Sequence, residues 1–151
     1  MRGNKGFTII ETMAAVVIFL VVLSSALYVY SKMYASYVKD RDKIEVQENM
    51  RRAIKKMSSG IRQAAAVASN NGSEIVLEPA QGSSIYGYRH DPVQKEVEVN
   101  VGGVYLPLAS DIQFLSFDYD AENRVATITI KGEKGDSGVV VMSTKVHIRT
   151  G

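Results

Sequence analysis

The residue with the most unusual chemical setting in this chain is a carboxylate near the N-terminus. Glu11 lies four residues after Phe7 and just before Met13 to Tyr30, a run of eighteen residues without a charge. A charged side chain inside such an apolar helix costs about 3 kcal/mol on insertion scales and is usually retained because it pairs with another group. No basic residue lies between Phe7 and Tyr30. Glu11 therefore needs a partner from outside its own segment.

Cleavage of the peptide bond between Gly6 and Phe7 would create such a partner. The new α-amino group of Phe7 would be a cation, placed at the depth of Glu11 in a neighbouring copy or a related subunit. An ion pair of this kind would offset the cost of keeping the carboxylate in an apolar segment. The junction after Gly6 is therefore a candidate processing site.

The apolar run itself has the length of a membrane span. Extended back to Phe7, it can cross a hydrocarbon core of about 30 Å. Arg2 and Lys5 precede it, so the excess of positive charge predicts a cytoplasmic N-terminus and a C-terminal part outside the cytoplasm. We expect a single-pass protein of the cytoplasmic membrane, with a leader over residues 1–6 and a transmembrane helix over 7–30.

Two other interpretations of the N-terminus are open. A conventional secretory signal would be cut after Ser24-Ser25-Ala26, so that the mature chain begins at Leu27. That interpretation leaves Glu11 unexplained. An uncleaved anchor with an accidental glutamate is the other alternative.

Six consecutive residues, followed by the apolar helix, carry a family resemblance: Gly6-Phe7-Thr8-Ile9-Ile10-Glu11. They resemble the signature of type IV prepilins, shared by type IV pilins, competence pilins and type II secretion pseudopilins. The resemblance implies that a prepilin peptidase removes residues 1–6 and N-methylates Phe7. It also implies that Glu11 aligns subunits during assembly with other pilins or pseudopilins. The energy for assembly would come from a cytoplasmic ATPase.

Length and charge limit the rest of the chain to one small domain. About 120 residues follow the membrane segment, enough for one compact domain. The formal net charge of +2 depends on the leader, because removal of Arg2 and Lys5 lowers Lys+Arg from 18 to 16, equal to the 16 Asp+Glu. Bulk charge therefore gives no reason to expect binding to nucleic acid. The chain has no cysteine, which excludes disulfides and thiolate metal sites.

The segment 31–69 is predicted to be an amphipathic helix. Apolar residues recur at spacings of three and four, which places them on one helical face: Met50, Ile54, Met57, Ile61, Ala64 and Ala68. Glu48 lies one turn before Arg52, in position for a charge pair on the helix surface. Gly60 is unfavourable in a helix by about 1 kcal/mol relative to alanine and is a candidate for a bend.

Four basic residues on this helix form what we call the basic cluster: Arg51, Arg52, Lys55 and Lys56. The cluster is a candidate contact for DNA or an acidic partner. No aromatic residues are interleaved with it, as they commonly are in proteins that bind single-stranded nucleic acid. A solvated face of an amphipathic helix is the preferred interpretation.

Residues 70–151 change to the two-residue period of β-strands. Turn residues such as Asn70-Asn71-Gly72 and Gly102-Gly103 separate seven predicted strands: Glu74 to Glu78, Ser84 to His90, Gln94 to Val101, Val104 to Leu108, Ile112 to Asp120, Arg124 to Lys131 and Gly138 to Arg149. A long helix followed by an antiparallel sheet that covers its apolar stripe predicts an α+β, pilin-like fold.

Later motifs narrow the resemblance to the W/J class of minor pilins and minor pseudopilins. The motifs are Ile61 to Ala64, the run from Leu108 to Tyr119, and the final strand from Ser143 to Arg149. Membership implies an initiation or tip subunit that primes polymerisation of the major pilin. The chain departs from major pilins in having no proline in residues 24–30 and no disulfide-closed loop.

Catalysis and metal binding find little support in the sequence. His90 and His147 lie far apart, and no pattern joins them into a catalytic site. Four oxygen-bearing side chains could approach a calcium ion, but a polar hairpin turn is the preferred interpretation because the twelve-residue calcium loop is missing: Asp118, Asp120, Glu122 and Asn123. We expect that the protein is not an enzyme and that it holds no cofactor or metal.

The functional alternative to a pilin-like subunit is an extracytoplasmic binding module, either tethered to the membrane or released by signal cleavage.

Overall fold

The fold was analysed in a computed structural model that describes residues 8–148. The chain divides into two compact units, Met1–Val38 and Lys39–Gly151. Helix α1 (Ile9–Gln63) contributes its first part to one unit and its remainder to the other.

Within the first unit, the described residues from Ile9 onward form an apolar helix whose side chains are exposed. It contains an 18-residue window with a mean hydropathy of 2.4, none of which is buried. By length and composition, this part of α1 can cross a membrane. Its serine hydroxyls are satisfied locally, since Ser24 and Ser25 both donate to the carbonyl oxygen of Val21, at 2.9 and 2.8 Å.

The second unit combines the end of α1 with eight antiparallel strands. The strands are β1 (Ala66–Asn70), β2 (Glu74–Glu78), β3 (Ile85–Asp91), β4 (Glu96–Val101), β5 (Val104–Ala109), β6 (Ile112–Asp120), β7 (Val125–Gly132) and β8 (Val140–His147). One sheet has the order β1-β2-β3-β4-β5, and the other has the order β6-β7-β8. We call them the five-stranded and three-stranded sheets. The predicted α+β architecture, a long helix packed on antiparallel sheets, is confirmed.

The core lies between α1 and the two sheets. The buried face of α1 repeats every three or four residues and comprises Val46, Met50, Ala53, Met57, Gly60 and Ile61. A glycine allows the helix to lie close to β7: a Cβ at Gly132 would be only 2.8 Å from Cγ1 of Val46 and 3.1 Å from Sδ of Met50. The small residue therefore helps to bring helix and sheet together.

The two sheets are joined mainly through β6. The amide of Ile112 donates to the carbonyl of Lys95 at 2.8 Å, and the amide of Phe117 donates to the carbonyl of Gly72 at 2.6 Å. The side-chain amide of Asn70 donates to the carbonyl of Phe117 at 3.2 Å. These bonds satisfy backbone groups that the edge of β6 would otherwise leave unpaired.

The predicted strand faces agree with the observed burial. Val97 and Val99 are buried on β4, and Leu115 and Phe117 are buried on β6. On β8, the buried residues Val140 and Val146 alternate with exposed neighbours. Gly102 and Gly103, with φ of 61° and 90°, connect β4 to β5 as expected for a hairpin. Most strand ends differ from the prediction by one or two residues, and Arg149 lies outside the described residues.

The predicted end of the helix is wrong. We expected helix to Ser69, but α1 ends at Gln63 and β1 follows from Ala66 to Asn70. The alanine-rich segment pairs instead with β2, starting with the bond from the amide of Ala65 to the carbonyl of Glu78 at 2.9 Å. Ala68 is consequently exposed on β1. Pairing with a neighbouring strand outweighs the helix propensity of alanine here.

Two smaller expectations about α1 have different outcomes. The bend at Gly60 stays a prediction; Gly60 lies inside α1, where Tyr88 packs against it. Glu48 was expected to pair with Arg52, whereas Nη2 of Arg52 donates to Oδ1 of Asn49 at 2.6 Å. Asn49 is within reach because residues three apart share a helical face.

Candidate functional site

The N-terminal candidate site begins with two residues outside the described range, Gly6 and Phe7. The predicted cleavage and methylation positions therefore stay predictions. Glu11, the third member of the predicted site, lies in the first turn of α1. Its carboxylate is thus close to the N-terminus of the helix, where the helix dipole favours negative charge.

Thr8 and Glu11 form a reciprocal cap at the start of α1. The backbone N–H of Thr8 donates to Oε2 of Glu11 at 2.9 Å, and the Thr8 hydroxyl donates to the same oxygen at 3.0 Å. The backbone N–H of Glu11 is 3.3 Å from the Thr8 hydroxyl oxygen, which accepts. This is the arrangement known as a capping box, with threonine at the N-cap and glutamate three residues later.

The cap supplies Glu11 with a partner that the sequence analysis did not find. That analysis looked for a cation, although Thr8 and Glu11 have the threonine-x-x-glutamate spacing of a capping box. Both bonds from Thr8 use Oε2 of Glu11. An ionised carboxylate has about four lone-pair positions on its two oxygens. Glu11 can therefore close the helix end and still accept a hydrogen bond from an incoming cation.

The basic cluster is placed on the solvent side of α1. All four of its side chains are exposed, and they flank the buried positions Met50, Ala53 and Met57. Within residues 8–148, the two salt bridges are Arg89 with Glu98 and Lys134 with Glu45. Neither includes a member of the basic cluster.

The two histidines occupy unrelated positions. Nε2 of His90 donates to the carbonyl oxygen of Ile112 at 2.9 Å, a bond that joins β3 to the start of β6. His147 is exposed on β8. The His90 side chain therefore links the two sheets.

The acidic residues near the end of β6 build a turn. Oδ1 of Asp120 accepts from the amides of Glu122 and Asn123 at 3.0 and 3.1 Å, and Oδ2 accepts from the Asn123 side-chain amide at 2.7 Å. These bonds lower the pKa of Asp120, the side-chain bond from Asn123 having the largest effect. The segment has the geometry of an aspartate-capped turn, the preferred interpretation from sequence.

A polar network that the sequence analysis missed crosses the outer face of the five-stranded sheet. The Arg89 guanidinium lies 3.6 Å from the centre of the Tyr105 ring and 2.5 Å from Oε2 of Glu98. The Tyr105 hydroxyl donates to Oε1 of Glu74 at 2.6 Å, which raises the pKa of the phenol. These residues come from four different strands, so only the strand register brings them together.

Comparison with known proteins identifies the N-terminal segment. Residues 1–27 match the family described as prokaryotic N-terminal methylation motif, a match that includes Gly6, Phe7 and Glu11. No curated relative and no solved structure matches the chain. The chain thus has the N-terminal motif of type IV prepilin-like proteins, together with an apolar helix that is long enough for a membrane anchor.

Proposed function

We propose that this protein is a minor pilin or minor pseudopilin, a structural subunit that primes or caps assembly of a type IV pilus or a type II secretion pseudopilus. The observation that carries the proposal is the position of Glu11. Its carboxylate is fixed at the N-terminal end of an exposed apolar helix, within the matched motif. A charge held there is suited to contact another subunit.

Processing would create the contact. A prepilin peptidase/methyltransferase hydrolyses the peptide bond after Gly6. The freed α-nitrogen of Phe7 then takes a methyl group from a sulfonium donor, which leaves as a thioether, and the nitrogen loses one proton. A monomethylated amine remains protonated at neutral pH, so the positive charge is kept. The cation then binds the Glu11 carboxylate of an adjacent subunit, while the Thr8 bonds continue to orient that carboxylate.

The sheet domain would be carried outside the cytoplasm, with the N-terminus on the cytoplasmic side. Arg2 and Lys5 support this orientation through the positive-inside rule. The assignment to a minor subunit rests on the W/J-like motifs, the lack of a proline in residues 24–30 and the lack of cysteine. The cytoplasmic assembly ATPase acts indirectly, through the machine that the subunit enters.

The N-terminus of the native protein tests this function. Intact-mass measurement and N-terminal sequencing should give a chain that begins with N-methylated Phe7. A chain that begins at Leu27 would contradict the proposal and support a signal-cleaved binding module. A chain that retains Met1 in cells with an active prepilin peptidase would also contradict it.

A further inference from the structure

Four of the eight tyrosines of the chain lie within ten residues of α1, directly after its most apolar part. Tyr28, Tyr30, Tyr34 and Tyr37 are between 62% and 69% exposed. We call these four residues and Lys32 the tyrosine band. The other four tyrosines belong to the sheet strands. This helical segment therefore presents large side chains that combine an apolar ring with a hydrogen-bonding hydroxyl.

The band surrounds the helix. Tyr30, Tyr34 and Tyr37 have the four- and three-residue spacing of one face. Tyr28 lies on the other side, because two residues advance about 200° around an α-helix. On this second side, Nζ of Lys32 is 5.7 Å from the centre of the Tyr28 ring, within the range of a cation–π interaction. A single packed helix would cover one face, whereas a surrounding medium contacts both.

The spacing along the axis matches a bilayer. From Ile9 to Leu27, α1 advances about 27 Å at 1.5 Å per residue, close to the hydrocarbon thickness of about 30 Å. From Tyr28 to Tyr37 it advances about 14 Å, so the band is longer than one headgroup layer of about 5–8 Å and extends from that layer into the adjacent water. The band is therefore continuous with the apolar span and begins where the headgroups should begin.

The charge of the band fits phosphate groups. The first acidic residue after Glu11 is Asp40, beyond the last tyrosine of the band. Lys32 can extend its ammonium group toward lipid phosphates while its methylene stem stays along the apolar surface. Tyrosine is enriched at membrane interfaces because its ring is apolar and its hydroxyl can form hydrogen bonds.

We propose that the tyrosine band binds the phospholipid headgroup layer and thereby sets the depth of α1 in the membrane. Glu11 lies about 26 Å before Tyr28 along the helix axis. Anchoring at the band would therefore hold Glu11 at the opposite boundary of the hydrocarbon, where a carboxylate is less costly than at the centre. The inference rests on the proposed function only in placing α1 across a membrane.

The absence of tryptophan from the chain allows a direct test. Single-tryptophan variants of the full chain are reconstituted in vesicles of phosphatidylcholine and phosphatidylglycerol that contain lipids brominated at known depths. Tyr34→Trp reports on the band, Phe19→Trp on the middle of the apolar span, and Tyr86→Trp on the sheet domain. Tyr86 is a matched control because it is an exposed tyrosine on β3.

The expected result is three different quenching patterns. Tyr34→Trp should be quenched most by bromines near the headgroups, and Phe19→Trp most by bromines near the chain ends. Tyr86→Trp should be quenched by aqueous acrylamide and little by any brominated lipid. If Phe19→Trp is lipid-quenched but Tyr34→Trp behaves like Tyr86→Trp, the band proposal is wrong and the membrane span stands. If Phe19→Trp is not lipid-quenched, both the band and the span are wrong.

Diluting the protein in lipid distinguishes two possible partners of the tyrosine band, the lipid headgroups and a second copy of the chain. Quenching of Tyr34→Trp should not depend on the ratio of lipid to protein. If protection from acrylamide disappears as the protein is diluted in lipid, the band packs against another copy and the proposal is overturned. Replacing Tyr30, Tyr34 and Tyr37 by alanine should shift the depth of the Phe19→Trp probe, and an unchanged depth would refute the role in positioning.

Discussion

At the scale of single residues, Glu11 combines an observed structural role with the assembly role proposed above. The capping bonds to Thr8 tie one oxygen of the carboxylate to the start of α1. Those bonds restrict the side-chain rotamer, which reduces the entropy that an intermolecular ion pair would otherwise cost. The local cap and the proposed contact with Phe7 are therefore compatible, and the cap prepares the carboxylate for that contact.

Two substitutions separate these roles. Glu11→Gln keeps the capping-box pattern, which accepts glutamine, but removes the charge. We expect it to insert into the membrane normally while its incorporation into filaments falls at least about tenfold, equivalent to about 1.4 kcal/mol. Thr8→Ala keeps the charge and loses the cap, at a cost of about 1 kcal/mol in helix stability, so its effect on incorporation should be smaller.

The measurement compares the variant in sheared filaments with the variant in the membrane fraction, and Thr8→Ser, which retains the hydroxyl, is the control. Normal incorporation of Glu11→Gln would show that the charge of Glu11 has no part in assembly.

Tyr88 is the second residue whose chemistry depends on its position. Its ring is fully buried beneath α1, and its hydroxyl donates to the carbonyl of Lys56 at 3.2 Å. Burial raises the pKa of the phenol to about 12, because the apolar surroundings disfavour the phenolate.

This shift predicts a loss of stability at high pH. An unfolded tyrosine ionises near pH 10, whereas Tyr88 in the folded chain stays neutral until about pH 12. The contribution of Tyr88 to the free energy of unfolding should therefore be complete below pH 10 and decline as the pH rises from about 10 to about 12. The difference in absorbance at 295 nm between wild type and Tyr88→Phe should titrate near pH 12. A midpoint near pH 10 would mean that Tyr88 is accessible to water.

At the scale of elements, the contact between α1 and β3 depends on a glycine. A Cβ at Gly60 would collide with the Tyr88 hydroxyl oxygen and lie 3.1 Å from its Cζ. The helix interior thus includes an unfavourable residue because a larger one would displace the aromatic ring of β3. The close approach of Tyr88 accounts for the glycine at position 60.

Gly60→Ala tests this packing. In an exposed helix the change would stabilise by about 1 kcal/mol. Here we expect the free energy of unfolding to fall by about 1–3 kcal/mol, as is typical of overpacked cores. The cost should be smaller in a Tyr88→Phe background, which lacks the oxygen that comes closest. Lys55→Ala, on the exposed side of α1, should change stability by less than about 0.5 kcal/mol. Denaturant unfolding measures the wild type and the four variants, including Tyr88→Phe alone, and a stabilised Gly60→Ala variant would contradict the packing argument.

The elements also show which parts of the fold can be predicted from sequence patterns. The helical stripe through Met50, Met57 and Ile61 and the alternation in β4, β6 and β8 were predictable because local periodicity records which side is buried. The end of α1 was not, since Ala66–Asn70 becomes a strand only through pairing with β2. The capping box was visible in the sequence. The Tyr88 contact was not, because only the fold brings that residue to Gly60.

At the scale of the whole molecule, removal of the proposed leader would balance the charge. Arg2 and Lys5 account for the formal excess of +2, and the mature chain proposed here has 16 basic and 16 acidic residues. Electrostatic attraction to nucleic acid requires a concentrated positive surface. The basic cluster is the main candidate for such a surface, but it lies along the exposed side of a single helix.

We expect the full chain, in detergent, to bind DNA weakly or not at all. Changing all four residues of the basic cluster to glutamine should leave gel retardation unchanged at low and moderate salt. The double variant of Lys131 and Lys145 to glutamine, on the three-stranded sheet, is a control for general loss of charge. Strong retardation that is abolished by the cluster variant and retained by the control would identify α1 as a DNA-binding surface.

The order of strands has a consequence for how the domain reaches its fold. Within each sheet, every strand pairs with the strand that precedes or follows it in sequence. Contacts between chain neighbours require only short loops to close, and proteins rich in such contacts fold faster than those that depend on distant pairings. The chain has no cysteine, so no step of thiol oxidation has to follow. A chain that becomes unfolded can therefore regain its sheets through pairings between sequence neighbours, without help from a redox enzyme.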